Sequence, residues 1–263
     1  MSLELSLAAF DVLWADLRLG RVPFPLQFRS HGDTLEDRAR IRAAVYADLG
    51  RRGLSRDERP ADTLVEDLRL LADPTMIVDL VALLDMADAE PVKALAATRG
   101  RHGILVVQGK LTLRLTRMRD IFTTGALVEL LPATRAGAGN SITSPAGALR
   151  PGPGRQRQEQ PGGLLRQVAP AVAADANLRA IAAVTEKPVW CAGQLGVTRT
   201  DDAGRRHRLP GIAWFDTDDG RYATTMARGR DGEDWVTLWP ADNARLTHRL
   251  SELAATEIVS GRG

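Results

Sequence analysis

The spacing of apolar residues along the chain switches between a helical and a strand period, and the switches mark its elements. Phe10, Leu13, Trp14 and Leu17 recur at three- and four-residue intervals, on one face of a short helix that Gly20 ends. The prolines of Pro23-Phe24-Pro25-Leu26-Gln27-Phe28 bias the residues before them toward extended backbone. This stretch therefore reads as irregular or as an edge strand, with its aromatic side chains packed down on the core. Thr34, with Asp37 three residues on, caps a second helix whose stripe is Ile41, Val45 and Leu49 and whose stop is Gly53. Thr63 with Glu66 repeats the pattern for a third helix, with Leu64, Leu68 and Leu71 as its core face and Asp73-Pro74 as its end.

From Met76 the period becomes that of strands. Residues 76–84 form a nearly continuous apolar run, as expected of a central strand covered on both faces. Residues 85–90 make a polar turn, and residues 91–98 run back. After a further strand from Ile104, Gly109-Lys110 turns the chain, and Leu111, Leu113 and Leu115 alternate with Thr112, Arg114 and Thr116 in a strand with one wet face. Residues 119–131 read as a helix with Ile121, Leu127, Val128 and Leu131 as its apolar side, ended by Pro132. Residues 133–163 are mostly Ala, Gly, Pro, Ser and Arg, and read as a flexible linker or surface loop.

Residues 164–184 read as helical, with a break at Pro170 and a fresh cap at Asp175. Four strands follow over 188–198, 208–215, 221–227 and 234–239, and a last helix opens with Pro240 near its first turn. Its stripe is Leu246, Leu250 and Leu253, ending on Glu257.

Arg99-Gly100-Arg101-His102-Gly103 and Arg228-Gly229-Arg230-Asp231-Gly232 both read as tight turns between strands, with paired glycines supplying positive φ. The elements around each follow the same order, which predicts an internal duplication. The halves are residues 1–132 and 164–263, joined by the 133–163 linker.

Composition adds bounds. With 263 residues, 44% hydrophobic and 26% charged, the chain has enough apolar material for one or two sizeable cores. Its 35 Lys and Arg are nearly balanced by 33 Asp and Glu, for a net charge of +2, and they are scattered, which argues against a nucleic-acid binder. The one basic cluster, Arg205, Arg206, His207 and Arg208, follows Asp201 and Asp202 in a hairpin loop and reads as a solvated turn. Cys191 is the only cysteine, which rules out an intrachain disulfide, permits a reducing compartment and, beside Trp190 in a strand-like run, reads as a small core residue. Residues 1–10 have no secretory pattern, and the longest apolar run falls far short of the roughly 20 residues that cross a bilayer. The expectation is a soluble cytoplasmic protein with no membrane insertion.

Catalytic motifs do not emerge. Gly139-Asn140-Ser141-Ile142-Thr143 lacks the second glycine of a hydrolase elbow, and Gly152-Pro153-Gly154 follows no strand and cannot seat a phosphate on a helix. His31, His102, His207 and His248 are dispersed through three loops and one helix, without metal-ligand spacing. Asp201, Asp202, Asp216, Asp218 and Asp219 lie at strand turns, where Asp bonds to nearby backbone N–H groups. Trp14, Trp190, Trp214, Trp235 and Trp239 read as core or interface anchors. No catalytic, cofactor-binding or metal residue is assigned, and the expectation is a protein that is not an enzyme.

A set of short motifs in shared order resembles the EspG family of cytosolic chaperones of type VII (ESX) secretion. They are Phe10-Asp11-Val12-Leu13-Trp14, Gly20-Arg21-Val22-Pro23-Phe24-Pro25-Leu26, Ser30-His31-Gly32, Leu68-Arg69-Leu70-Leu71-Ala72, Trp214-Phe215-Asp216-Thr217, Gly220-Arg221-Tyr222, and Asp231-Gly232 through Trp235-Val236-Thr237 with Pro240-Ala241-Asp242. The resemblance implies an α+β fold with a central, mostly antiparallel sheet flanked by helices and a pseudo-two-fold relation between two similar halves. It implies a non-enzymatic chaperone that keeps a PPE-like protein of a PE–PPE pair soluble before export.

The family's partner-binding regions fall here on the 85–90 turn with its flanking strands and on residues 243–258. The expected contacts are Leu84, Asp85, Met86, Asp88, Glu90 and Lys93, with Arg245, Arg249 and Glu252. The 85–90 turn is shorter than the corresponding loop in better-known members, so the client is either a PPE protein docked differently or another type VII substrate. Two other readings stay open. One is a small-molecule-binding regulatory or enzymatic domain with a site between the halves, using groups such as His207, Arg208 and Asp216. The other is a structural dimerisation module.

Overall fold

The computed structural model describes residues 2–88, 90–149 and 168–256. In chain order the elements are β1 (Ser2–Ser6), α1 (Leu7–Asp16), α2 (Leu35–Arg51), β2 (Ser55–Arg56), β3 (Arg59–Pro60), α3 (Asp62–Ala72), β4 (Met76–Leu83), β5 (Val92–Arg99), β6 (His102–Gln108), β7 (Thr112–Arg119) and α4 (Thr123–Val128). They continue with β8 (Ile142–Pro145), α5 (Val168–Thr185), β9 (Cys191–Thr200), β10 (Arg206–Arg208), β11 (Ile212–Thr217), β12 (Gly220–Arg228), β13 (Asp234–Pro240) and α6 (Asn243–Ala255). This is an α+β chain built on one large sheet of order β1-β7-β6-β5-β4-β9-β11-β12-β13-β8, with β10 paired to β9. Every ladder between these strands is antiparallel.

The strand order repeats about the β4–β9 junction. In the first half β4, β5, β6 and β7 step outward and the earliest strand, β1, closes the edge; in the second, β9, β11, β12 and β13 step outward and β8 closes the edge. The two Arg-Gly-Arg turns do not occupy matching places in this order. The first joins β5 to β6, whereas the second joins β12 to β13, one hairpin further out. Of their four glycines only Gly100 and Gly232 take positive φ, at 58° and 81°.

Alternation along the strands sends side chains to two cores. Ile77, Leu95, Ile104 and Leu113 meet Phe10 and Leu13 of α1, Leu49 of α2 and Leu68 of α3. On the opposite face Val78, Leu80, Ala94, Leu195 and Trp214 meet Leu127 of α4 and Leu246 and Leu250 of α6. α5 adds a smaller cluster, Ile181 on Tyr222 and Leu238. β4 lies between both cores, as its unbroken apolar run predicts, and its one charged residue, Asp79, is buried with Arg208 as its partner.

The strongly periodic helices form as read. Thr34 caps α2 by accepting from the Asp37 amide, and Val45 and Leu49 are buried. α3 buries Leu64, Leu68 and Leu71 but starts at Asp62, with no side-chain cap from Thr63. Several expectations need correction. β1 runs where no strand was expected, and Ser6 ends it by capping α1. β7 keeps Arg119 paired with His102, so the expected 119–131 helix shrinks to a 3-10 turn over Asp120–Phe122 followed by α4, which leaves Ile121 exposed. Two threonines and a glycine in α4 are poor helix formers and do not extend it.

α5 continues through Pro170 without a fresh start at Asp175, because proline near a helix start removes no needed donor. The expected 164–167 part lies outside the described residues. Pro240 ends β13, and Asp242 caps α6 by accepting from the Arg245 amide. His102 and His207 stand in strands rather than loops.

The 133–163 stretch is not all loop. Ala136 bridges to Arg221, the Gly137 amide donates to the Arg221 carbonyl at 2.8 Å, and residues 142–145 add β8 to the sheet edge. Small residues suit this crossing, since a Cβ at Gly137 would overlap the Tyr222 ring. Residues 150–163 lie outside the described residues.

One buried charge ties these pieces together. Arg221 of β12 has no solvent exposure. Its Nε donates to Asp216 Oδ1 at 2.6 Å, and its Nη2 to Asp216 Oδ2 at 2.8 Å and the Pro132 carbonyl at 3.0 Å. Its Nη1 donates to Asn243 Oδ1, and its guanidinium lies 4.6 Å from the Trp214 ring centroid. Replacing Arg221 by Met strands the Asp216 carboxylate in the core. We expect a loss of about 3–5 kcal/mol in urea unfolding, much of it recovered by adding Asp216→Leu. Equal losses in the single and double variants would contradict this account.

Candidate protein-binding surface

The sheet's two faces are covered unevenly. α1–α3 cover the outer strands of the first half and α5 those of the second. Between them, on the same face, Val81, Gln194 and Ala213 stand side by side across β4, β9 and β11. With Phe24 and Pro25 on one flank and Thr185 and Val189 on the other, they line a largely apolar concavity of about 970 Å³. Ala192 and Ala213 raise little above the backbone of its floor; Gly193, in register with Ala82 and Trp214, faces the opposite core, where a Cβ would sit 2.8 Å from that of Ala82.

The β4–β5 hairpin stands at one end of this groove. Met86 is 46% exposed, and its amide donates to the Trp190 carbonyl at 3.0 Å. Phe24, which also lines the groove, is 56% exposed, so two large apolar side chains meet solvent on this rim; Trp190 is 57% exposed but does not line the groove. Asp85 shapes the turn by accepting from the Ala87 amide at 2.8 Å, and the Leu84 carbonyl accepts from Cys191 Sγ at 2.7 Å. Burial raises the Cys191 thiol pKa, with help from the Asp216 charge, which leaves it a buried structural residue. Lys93 donates to Gln27 Oε1 at 3.0 Å; Asp88 and Glu90 are exposed.

Polar contacts fix the flank made by residues 23–31. Gln27 and Gln108 exchange hydrogen bonds, the Gln27 amide donating at 2.9 Å. Arg208 lies 5.6 Å from the Phe24 ring centroid while its Nη2 donates to Asp79 Oδ1 at 2.9 Å. A Cβ on Gly196 would overlap that guanidinium, so the glycine makes room for it. Further back, Asp11 accepts from the His31 amide at 2.8 Å and from Arg38. Burial alone pushes the Asp11 carboxyl up, but the Arg38 and His31 bonds outweigh it and hold the group below its ordinary value.

The expected contacts on α6 lie elsewhere. Arg245 and Arg249 are exposed beside a different concavity on the opposite face, and Glu252 accepts from Arg249 at 2.8 Å. The structure brings Met86, Asp88 and Lys93 to one groove but does not bring the α6 residues to it. His207, Arg208 and Asp216 do not converge either: His207 pairs with Asp201 and Arg208 with Asp79, while Asp216 faces Arg221 across the sheet. Among the described residues no group of three or more His, Cys, Asp or Glu is placed to hold a metal. No helix of the described residues is long and apolar enough to cross a membrane.

Sequence reasoning missed Phe24 as an exposed rim residue, having packed it down on the core, and left Trp190, here 57% exposed, as a core or interface anchor. It also missed the groove floor. Gly193 and Gly196 inside a strand do signal close approaches, to Ala82 and to Arg208.

Comparisons agree with this architecture. The family model described as EspG family matches residues 6–252. No curated protein matches the chain by sequence. Among solved structures, the chain is similar to one in the structure of the Mycobacterium tuberculosis type VII secretion system chaperone EspG5 in complex with PE25-PPE41 dimer. The TM-score is 0.68 at 12% identity, over 98% of this chain and 98% of that one, so the likeness is one of fold.

The Asp11 anchor gives a pH prediction. A carboxyl held below its unfolded value stabilises the fold above the ordinary carboxylate range and loses that contribution as pH falls through the folded value. Asp11→Asn is expected to lower Tm at neutral pH and to flatten the fall in Tm between about pH 6 and about pH 3. An unchanged acid limb would show that the anchor contributes nothing.

Proposed function

The chain belongs to the EspG family, and from that premise we propose that it is a non-enzymatic, cytosolic chaperone of type VII secretion that holds a PPE-like client of a PE–PPE pair soluble before export. The observation that carries the reading is the groove: a largely apolar floor on an uncovered sheet face, with Phe24 and Met86 exposed at its rim. Apolar surface that a monomer leaves in water is a docking resource, because each Å² covered by a partner yields about 25 cal/mol. A client's apolar helical tip would gain most from these two rim side chains.

In this reading Leu84, Asp85, Met86, Asp88, Glu90 and Lys93 form the first contact region. The short hairpin, with Asp88 and Lys93 beside the apolar floor, sets orientation through charge while the floor supplies affinity. Arg245, Arg249 and Glu252 form a second region on α6, which a long client reaches only by wrapping the end of the sheet.

Co-expression with a PE–PPE pair encoded by the same genome is expected to raise the pair's soluble yield and to give a complex that survives gel filtration. Ala213→Arg on the groove floor and Met86→Asp on its rim should each weaken that complex at least tenfold with the fold intact by circular dichroism, since each places charge on apolar surface. Full-strength binding by both variants would move the site off the groove. Failure of every PE–PPE pair to bind the native chain would reject the client class.

A further inference from the structure

A further concavity, of about 460 Å³, opens between α3 and strands β5, β6 and β7. Two ion pairs pin the helix beside it. Arg117 of β7 donates from Nε to Asp67 Oδ1 at 2.7 Å, and Arg99 of β5 lies 2.8 Å from Asp73, the residue that ends α3. Asp67 and Asp73 are six residues apart, about 9 Å along a helix axis. β5 and β7 are two strand spacings apart, about 9.6 Å, so the helix crosses from one to the other and the cavity follows its side.

The lining divides by charge. At the Arg99 end, His102 stands directly opposite Arg99 in the β5–β6 ladder, so both side chains leave the same face, and Arg69 lies one helical turn before Asp73. At the Arg117 end stand Glu66 and Asp67. Among the described residues Glu66, Arg69 and His102 make no ion pair, although each lines the cavity. Asp67 is only 13% exposed and has Arg117 as its one donor among the described residues. Burial raises its pKa by more than the Arg117 bond lowers it, so this carboxyl lacks a second donor.

We propose that this cavity binds a small zwitterion, a primary amine and a carboxylate joined by a short chain. The carboxylate sits on Arg69 and His102, joined by Arg99, whose pair with Asp73 is exposed and given up at small cost. The ammonium bridges Glu66 and the remaining oxygen of Asp67, and the partly buried Leu70 meets the methylenes between. Charge decides the class: a simple anion meets Glu66 and Asp67, a simple cation meets the arginines, and only a ligand of both signs is favoured at both ends. Size decides against a polypeptide, since the cavity has less than half the groove's volume and one wall is a helix pinned at two points. It shares no lining residue with the groove or with the concavity beside α6, so it does not rest on the client reading above.

The test is isothermal titration calorimetry of the full chain with three ligands of one skeleton: 6-aminohexanoate, hexanoate and hexylammonium. The zwitterion is expected to bind at least about tenfold more tightly than either singly charged ligand. Glu66→Gln should abolish its advantage over hexanoate, and Arg69→Ala its advantage over hexylammonium. Both residues are exposed, so the fold stays intact. Ala213→Arg in the groove should leave zwitterion binding unchanged.

Hexanoate binding as tightly as the zwitterion would make the cavity a simple anion site, and hexylammonium doing so a simple cation site; either result would overturn the proposal. So would native selectivity in both α3 variants, equal loss in Ala213→Arg, or no heat from any of the three ligands at millimolar concentration. Should a variant fail to fold, the order of the three ligands on the native chain decides.

Discussion

A guanidinium sealed from water needs a partner for each of its donors, and this requirement organises the second half of the molecule. Arg221 meets it with four groups from three separate places: Asp216 on the neighbouring strand β11, the Pro132 carbonyl and the Thr134 hydroxyl on the chain leaving α4, and Asn243 at the start of α6. The chain leaving α4 at Pro132–Thr134 has no apolar stripe of its own to fix its position against the others. Because a buried charge left unpaired costs several kcal/mol, the crossing chain and the α6 start have only one low-energy placement relative to the sheet. The bridge from Ala136 to Arg221 and the cap of Asp242 on α6 then follow from where Arg221 has put the backbone.

That placement sets which surfaces stay open. With α4 and α6 laid along the middle strands on one face, the covering elements of the other face, α1–α3 and α5, lie over its outer strands. Each face is therefore half covered, in complementary patterns. The apolar groove is the uncovered middle of one face; the concavity beside Arg245 and Arg249 is uncovered ground next to α6 on the other. The two openings share no lining residue, so a charge change in one is expected to leave the other's chemistry unaltered.

The sequence shows these features to very different degrees. Elements whose apolar positions repeat over several turns, such as α2, α3 and α6, and the long apolar strand β4 are legible because burial on one face or two writes directly into the pattern. β1 is not, since its Leu3 and Leu5 alternate for only five residues before a helix begins. The burial of Arg221 is not legible either, because nothing local distinguishes a buried guanidinium from an exposed one. The 85–90 hairpin is legible as a turn and as a candidate contact. That it stands at the head of a groove depends on where the 23–31 segment and α5 lie, and those placements are set by tertiary contacts such as Lys93 to Gln27 and Ile181 to Tyr222.

An apolar groove in water tends to close, and what keeps this one open is polar. One wall is pinned by the Gln27–Gln108 exchange and the Lys93 bond, and its Phe24 rests on an arginine already committed to Asp79. The other wall, the end of α5, is tied through the Lys187–Asp219 pair to the β11–β12 turn. Hydrophobic attraction between the walls is non-directional and falls away once water fills the gap, whereas these hydrogen bonds have fixed geometry. The floor is lowest at Ala192 and Ala213, whose side chains are single methyl groups. A groove whose walls are held apart by directional bonds remains open for another polypeptide to fill.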